Sequence, residues 1–185
     1  MIRSAVVATL GSGVFASIAL AQVNSVDLSQ YVRVGRYSLP NPSNTATPPN
    51  SVLAQEVSAV TYNKATDTLF VVGDGGTSIV QITKTGQLVN SMTLGTGNSP
   101  QNTFFYDPEG LTYVGNNQFV MVEERDRRAN LITYAAGTTL GSAPPQTVVK
   151  LGTTIGNIGI EGMTFDPFTG GYIGVKETGP LGIFQ

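Results

Sequence analysis

The chain has 185 residues, of which 41% are hydrophobic and only 12% charged, a balance that fits one globular domain better than a disordered tail or an array of charged helices. Ten Lys and Arg against twelve Asp and Glu give a net charge of -2, which leaves no broad cationic face for phosphates and excludes duplex nucleic acid as a partner. There is no Cys and no His, so Ser-His-Asp and Cys-His nucleophiles, His- or thiolate-bound metals and disulfide staples are all excluded.

Residues 1–21 have the layout of a signal peptide and are expected to form an N-terminal signal helix. Arg3 supplies the positive start, Ala5 to Leu20 is apolar, and Ala19-Leu20-Ala21 is an A-x-A cleavage site that sets a mature start at Gln22. The competing reading is a retained anchor, but the run is short and rich in Gly, Ala and Ser, and no later segment is apolar for long enough to span a bilayer. The mature chain is therefore expected in the periplasm or secreted, at most peripheral to the cell envelope. Residues 22–50 come next, with a leading strand at Tyr31–Leu39, whose apolar residues partly alternate, and a Pro-rich linker from Pro40 to Asn50.

Residues 51–185 repeat themselves with a period of about fifty, the length of a propeller blade. Ser58-Ala-Val-Thr-Tyr62 matches Glu109-Gly-Leu-Thr-Tyr113 and Glu161-Gly-Met-Thr-Phe165. Each phrase opens a strand, and a turn then leads to a second strand at Leu69–Val72, Phe119–Val122 or Tyr172–Val175, so every repeat starts with a hairpin. Ser78–Ile82 and Leu88–Leu94 complete the first repeat, and Asn130–Tyr134 and Gln146–Leu151 complete the second. In the third, Gly182–Gln185 aligns with Ser78–Gln81 as a third strand. The fold class is all-β, with β-propeller-type blades of four antiparallel strands, two complete and one partial. A closed ring needs about four blades or more, so the chain reads as part of a longer propeller or as one that self-associates through open strand edges.

Carboxylates concentrate at one edge of these repeats. The start of a hairpin's first strand lies beside the end of its second, which pairs Glu109 with Glu124, Glu161 with Glu177 and Ser58 with Asp74, with Glu123 next to Glu124. An oxygen-rich, His-free site suits a hard cation, and calcium fits best; Glu109, Glu161 and Asp74 are the expected ligands. The bland alternative is that these carboxylates accept loop N–H groups or pair with Arg125, Arg127, Arg128 and Lys176. Those three arginines are the single basic cluster and are candidates to grip an anionic ligand. Gly73-Asp-Gly-Gly76 has no GK[ST] ending and no following helix, so it reads as a tight turn rather than a phosphate cradle. Tyr62, Tyr113 and Phe165 share one repeat position and are expected to pack between blades.

Three sets of phrases carry a family resemblance: Val60-Thr-Tyr-Asn63 with Thr68-Leu-Phe70, Asp107-Pro-Glu-Gly-Leu-Thr-Tyr113 with Val122-Glu-Glu-Arg-Asp126, and Ile160-Glu-Gly-Met-Thr-Phe165 with Lys176-Glu177. By these the sequence resembles the SdiA-regulated family of exported β-propellers and, more loosely, phytase-like and gluconolactonase-type propellers. The resemblance implies a bacterial envelope protein. In gluconolactonase-type propellers the Glu-Gly phrase contributes a metal-binding glutamate, which points again to Glu109 and Glu161. Three functions stay open: a scaffold binding a small molecule or an envelope partner at the carboxylate face, a calcium-dependent phosphoesterase, esterase or lactonase with Glu124 or Glu177 as base, and a fragment with no function of its own.

Overall fold

A computed structural model describes residues 28–40, 53, 55–100, 102–140, 147–178 and 181–185. The chain divides into two compact units, Met1–Val34 and Gly35–Gln185. The described part of the first unit is a 3-10 turn, Leu28–Gln30, and irregular chain on which Tyr31, Val32 and Val34 are exposed. The expected signal helix and most of the linker lie outside the described residues. The strand expected at Tyr31–Leu39 does not form, because no described strand pairs with it. Apolar alternation marks a face that would suit a sheet, but a strand also needs a ladder for its backbone N–H and C=O groups, and here there is none. Among the described residues no helix is long and apolar enough to cross a membrane.

The second unit is all-β and has the blade pattern of a propeller. Its first sheet runs in the order β1 (Val57–Asn63), β2 (Thr68–Gly73), β3 (Ser78–Ile82), β4 (Leu88–Thr93). The second runs β5 (Pro108–Gly115), β6 (Gln118–Glu123), β7 (Arg128–Thr133), β8 (Thr147–Lys150). The third holds β9 (Ile160–Asp166), β10 (Gly171–Lys176) and β11 (Gly182–Phe184), with β10 in the middle. All pairings are antiparallel between consecutive strands. Turn chemistry fixes the hairpins. Asn116 and Asn117 both take left-handed backbone, at φ 50° and 57°, the signature of a two-residue type I′ loop between β5 and β6. In the β9–β10 turn the Asp166 carboxylate accepts the Phe168 N–H and the Thr169 hydroxyl.

The sheets pack face to face through their first strands, β1 on β5 and β5 on β9. The threonine of the repeat phrase ties each joint. Tyr113 N–H donates to Thr61 Oγ1 at 3.1 Å, and Phe165 N–H donates to Thr112 Oγ1 at 3.2 Å. The glycine of the phrase has a matching purpose in the second sheet, since a Cβ on Gly110 would lie 3.0 Å from the Met163 backbone nitrogen. The main core fills the first joint: Phe70, Val72, Ile79, Met92 and Leu94 meet Phe119, Met121, Ile132 and Tyr134. There the Phe70 ring lies 4.6 Å from that of Phe119 and 4.8 Å, edge-on, from that of Tyr134. β6 is buried on both faces because sheets flank it, and β2 because the second sheet covers one face while Leu53 and Val57 pack with Val71 and Val80 on the other, whereas β8 is exposed throughout.

Candidate functional site

One local distortion recurs at the acidic position of each repeat. β1 pairs Val57 with Gly73 and then Ala59 with Val72, leaving Ser58 as an extra residue; β5 skips Glu109 in the same way, and β9 skips Glu161. These are β-bulges, which leave one residue out of the ladder and re-aim its side chain. The pairing expected within each hairpin is therefore only partly what forms. Glu161 does meet Glu177, but it also meets Glu124 of the preceding sheet, with one oxygen from each within 4.8 Å of the others. Glu109 joins Asp74 of the preceding sheet and Asp107, under the same distance limit.

The two trios are built alike. Asp74, Glu124 and Glu177 each follow the second strand of a sheet, while Glu109 and Glu161 sit on bulges of the first strand of the next. Asp107 breaks the repeat, because its counterpart is Gly159. Asp107 has a left-handed φ of 62°, accepts a hydrogen bond from Arg125 Nε, and offers its carbonyl to Glu124 N–H at 2.8 Å. Gly159 N–H donates to Glu124 Oε1 at 3.0 Å, and a Cβ there would clash with the Glu124 carbonyl, so glycine is needed for the close approach.

Burial and mutual repulsion oppose ionisation along this ledge. Burial, followed by the charges of Asp107 and Asp74, pushes the Glu109 carboxyl up to about 7. Glu124 also rises to about 7, chiefly through burial and then through Asp107 and Glu161, against the Gly159 N–H that favours its charge. Burial raises Asp74 and Glu161 as well, with Glu177 adding repulsion at Glu161 and Lys176 relieving it. Glu161 Oε1 is buried with no hydrogen-bond partner among the described residues. An orphaned carboxylate oxygen inside a cluster of hard oxygen donors is an arrangement that could hold a metal ion.

Several expected members stand elsewhere. Glu123 is not on the ledge; it is wholly buried and accepts hydrogen bonds from Tyr106 N–H and Asn130 Nδ2, both at 2.8 Å, and from Arg128 Nη2 at 3.0 Å. The three arginines do not converge on one ligand. Arg125 holds Asp107 and Asn157 and lies over the Tyr106 ring, and Arg128 holds Glu123 and Asp126. Arg127 has no ion pair among the described residues. The Gly73–Gly76 segment is a turn, closed by Gly76 N–H on the Gly73 carbonyl at 3.1 Å. Asp107 was the residue that pattern reading passed over as a ligand, having no repeat partner to flag it. Lys176, expected as an ion-pair partner of the carboxylates, instead has its ammonium buried without a hydrogen-bond partner among the described residues.

Residues 44–185, most of the chain and all of the sheet region, match the SdiA-regulated family. The chain belongs to that family. Its bulged Glu109 and Glu161 and the threonines that join its sheets lie inside the matched region. Among solved structures, the fold is similar to Kuenenia stuttgartiensis Hydrazine Synthase, with a TM-score of 0.44 and 11% sequence identity over 70% of this chain. The chain spans 32% of that protein's length.

Proposed function

We propose that this SdiA-regulated family member is an exported envelope protein whose carboxylate ledge binds calcium and, with it, a small molecule or an envelope partner. The observation that carries this reading is the convergence of Glu124, Glu161 and Glu177, supplied by two sheets, around the unpartnered Glu161 oxygen. Two carboxyls held near neutrality by burial and repulsion gain from any cation placed among them. Glu161 and Glu124 would hold the ion, Glu177 would close the site from the solvent side, and Asp74, Asp107 and Glu109 offer a second position of the same kind. Export is supported by the signal-like residues 1–21 and by the family match.

A thermal melt in chelator and in millimolar calcium tests the reading. At a calcium concentration about 100-fold above Kd, binding adds about 2.7 kcal/mol. The expected result is a rise of several degrees in Tm that is lost in Glu161→Gln and reduced in Glu109→Gln. A cooperative melt that ignores calcium in the wild-type chain would overturn it.

One observation favours a second reading, hydrolysis at the same ledge. A carboxyl near 7 is poised to exchange protons at neutral pH, so Glu124 suits a general base for water, with Glu177 as the exposed alternative. Turnover of an aryl phosphate or aryl ester that is abolished by Glu124→Gln supports it. Calcium binding without turnover leaves the binding scaffold.

A further inference from the structure

The two joints between sheets use corresponding strand positions, so their packing can be compared residue by residue. In the first joint Phe70 and Ile79 pack in one cluster with Met121. The strand registers place Val120, Ala129 and Gly174 at the same positions in the second joint. Each is smaller than its counterpart, and the joint holds a cavity of about 370 Å³ lined by these three residues, Leu131, Ile160 and Tyr172 among others. That volume falls in the range of small-molecule sites, roughly 300 to 1,000 Å³. Backbone conformation does not require glycine at Gly174, and a Cβ there would meet nothing closer than 3.6 Å. The space above it is open by choice of residue.

The wall is mostly apolar, with Thr147 and Gln185 as its neutral polar residues and Arg127 as its one cation. Arg127 takes a left-handed φ of 50°, and its carbonyl accepts Leu151 N–H at 2.7 Å. Its guanidinium lies against Gly152, where any Cβ would fall 2.4 Å from Cζ. Both neighbouring arginines hold carboxylates, but Arg127 has none, and its Nε is buried without a hydrogen-bond partner among the described residues. An unpaired guanidinium beside an apolar cavity complements a single carboxylate carrying an alkyl chain, since the planar fork can bond both carboxylate oxygens while the chain leaves water.

We propose that the cavity between the second and third sheets is a binding site for a free medium-chain alkanoate, with Arg127 receiving the carboxylate and the gap left by Val120, Ala129 and Gly174 receiving the chain. The site is separate from the carboxylate ledge and does not depend on calcium. The test is calorimetric titration of the full chain with decanoate in the presence of chelator, so the outcome is independent of the cation. Decanoate should bind one to one, and octanoate should bind more than about tenfold more weakly, because each buried methylene contributes about fourfold. Arg127→Gln should weaken decanoate by about tenfold or more while leaving decanol unchanged. Gly174→Met and Ala129→Ile should each abolish binding of both, with a melting temperature at or above that of the wild type as proof of folding. The proposal is overturned if decanoate does not bind the wild-type chain. Equal binding of decanoate by wild type and Arg127→Gln, or retained binding in the filled variants, overturns it as well.

Discussion

Glu123 and Glu124 are adjacent, yet their surroundings give them different work. Successive side chains at a strand end turn to opposite sides, so Glu123 enters a closed set of donors while Glu124 reaches the ledge beside Glu161. The ledge predicts an unusual pH response. Glu109 and Glu124 ionise near 7 in the fold against an ordinary 4.5, so between those values the folded chain holds more protons than the unfolded one. Stability from these groups is thus greatest below about 4.5, falls as pH rises through about 7, and is flat above that. In chelator, Tm should drop by several degrees from about pH 5 to about pH 7.5; Glu124→Gln should flatten the slope, and calcium should restore much of the loss at the higher pH. Scanning calorimetry across that range decides it, and a Tm that climbs over the interval would contradict the ledge electrostatics. Most of these carboxylates were legible from the sequence, because Glu109, Glu161, Glu124, Glu177 and Asp74 stand at repeated positions. Their partners were legible only in part: Glu161 meets Glu177 as expected, but Glu109 joins Asp74 and Asp107 rather than Glu124. Hairpin arithmetic assumes a regular ladder, and the bulges at Glu109 and Glu161 break it, carrying the side chains toward the preceding sheet.

At the scale of elements, the repeat phrase joins sheets as well as opening strands. The aromatic position after the threonine was expected to pack between blades. Tyr62 is half exposed, and the Phe165 ring meets Tyr172 of its own sheet. Tyr113 does pack against the core of the first joint, with its ring 5.3 Å from that of Phe119 in its own sheet, and offers its backbone N–H to Thr61 of the preceding sheet. Thr112 does the same service for Phe165 and is buried, whereas Thr164, at the same position of the third sheet, is exposed. Thr112→Val keeps the shape but leaves the Phe165 N–H without its acceptor, at a cost of about 1 to 2 kcal/mol. Thr164→Val should change stability by less than about 0.5 kcal/mol. Urea unfolding of the two variants checks the contrast, and equal losses would mean that the hydrogen bond between sheets is not what the threonine supplies. The hairpins were fully legible because turn residues and apolar runs are local signals, as at Asn116-Asn117. The leading segment was misread for the complementary reason: alternation at Tyr31–Leu39 is local, but pairing is not.

Across the molecule, stability should be graded along the row of sheets. Sheets that contact only their neighbours unfold according to the strength of each joint. The first joint is filled by large apolar side chains, with Phe70, Phe119, Met121 and Ile132 fully buried. The second carries the cavity, and the third sheet leaves Val175 and Ile183 exposed, so it is held mainly through β9. Hydrogen exchange should therefore find the amides of β10 and β11 exchanging at least about tenfold faster than those of β2, β3, β6 and β7, because their opening requires loss of only one weak joint. Gly174→Met, which adds apolar volume to that joint, should slow exchange in the third sheet and leave the first unchanged, locating the weakness in packing rather than in strand propensity. Equal protection across all three sheets would show instead that the row opens as one cooperative unit, with the Thr61 and Thr112 bonds and the close approach at Gly110 coupling the joints more strongly than the cavity loosens them.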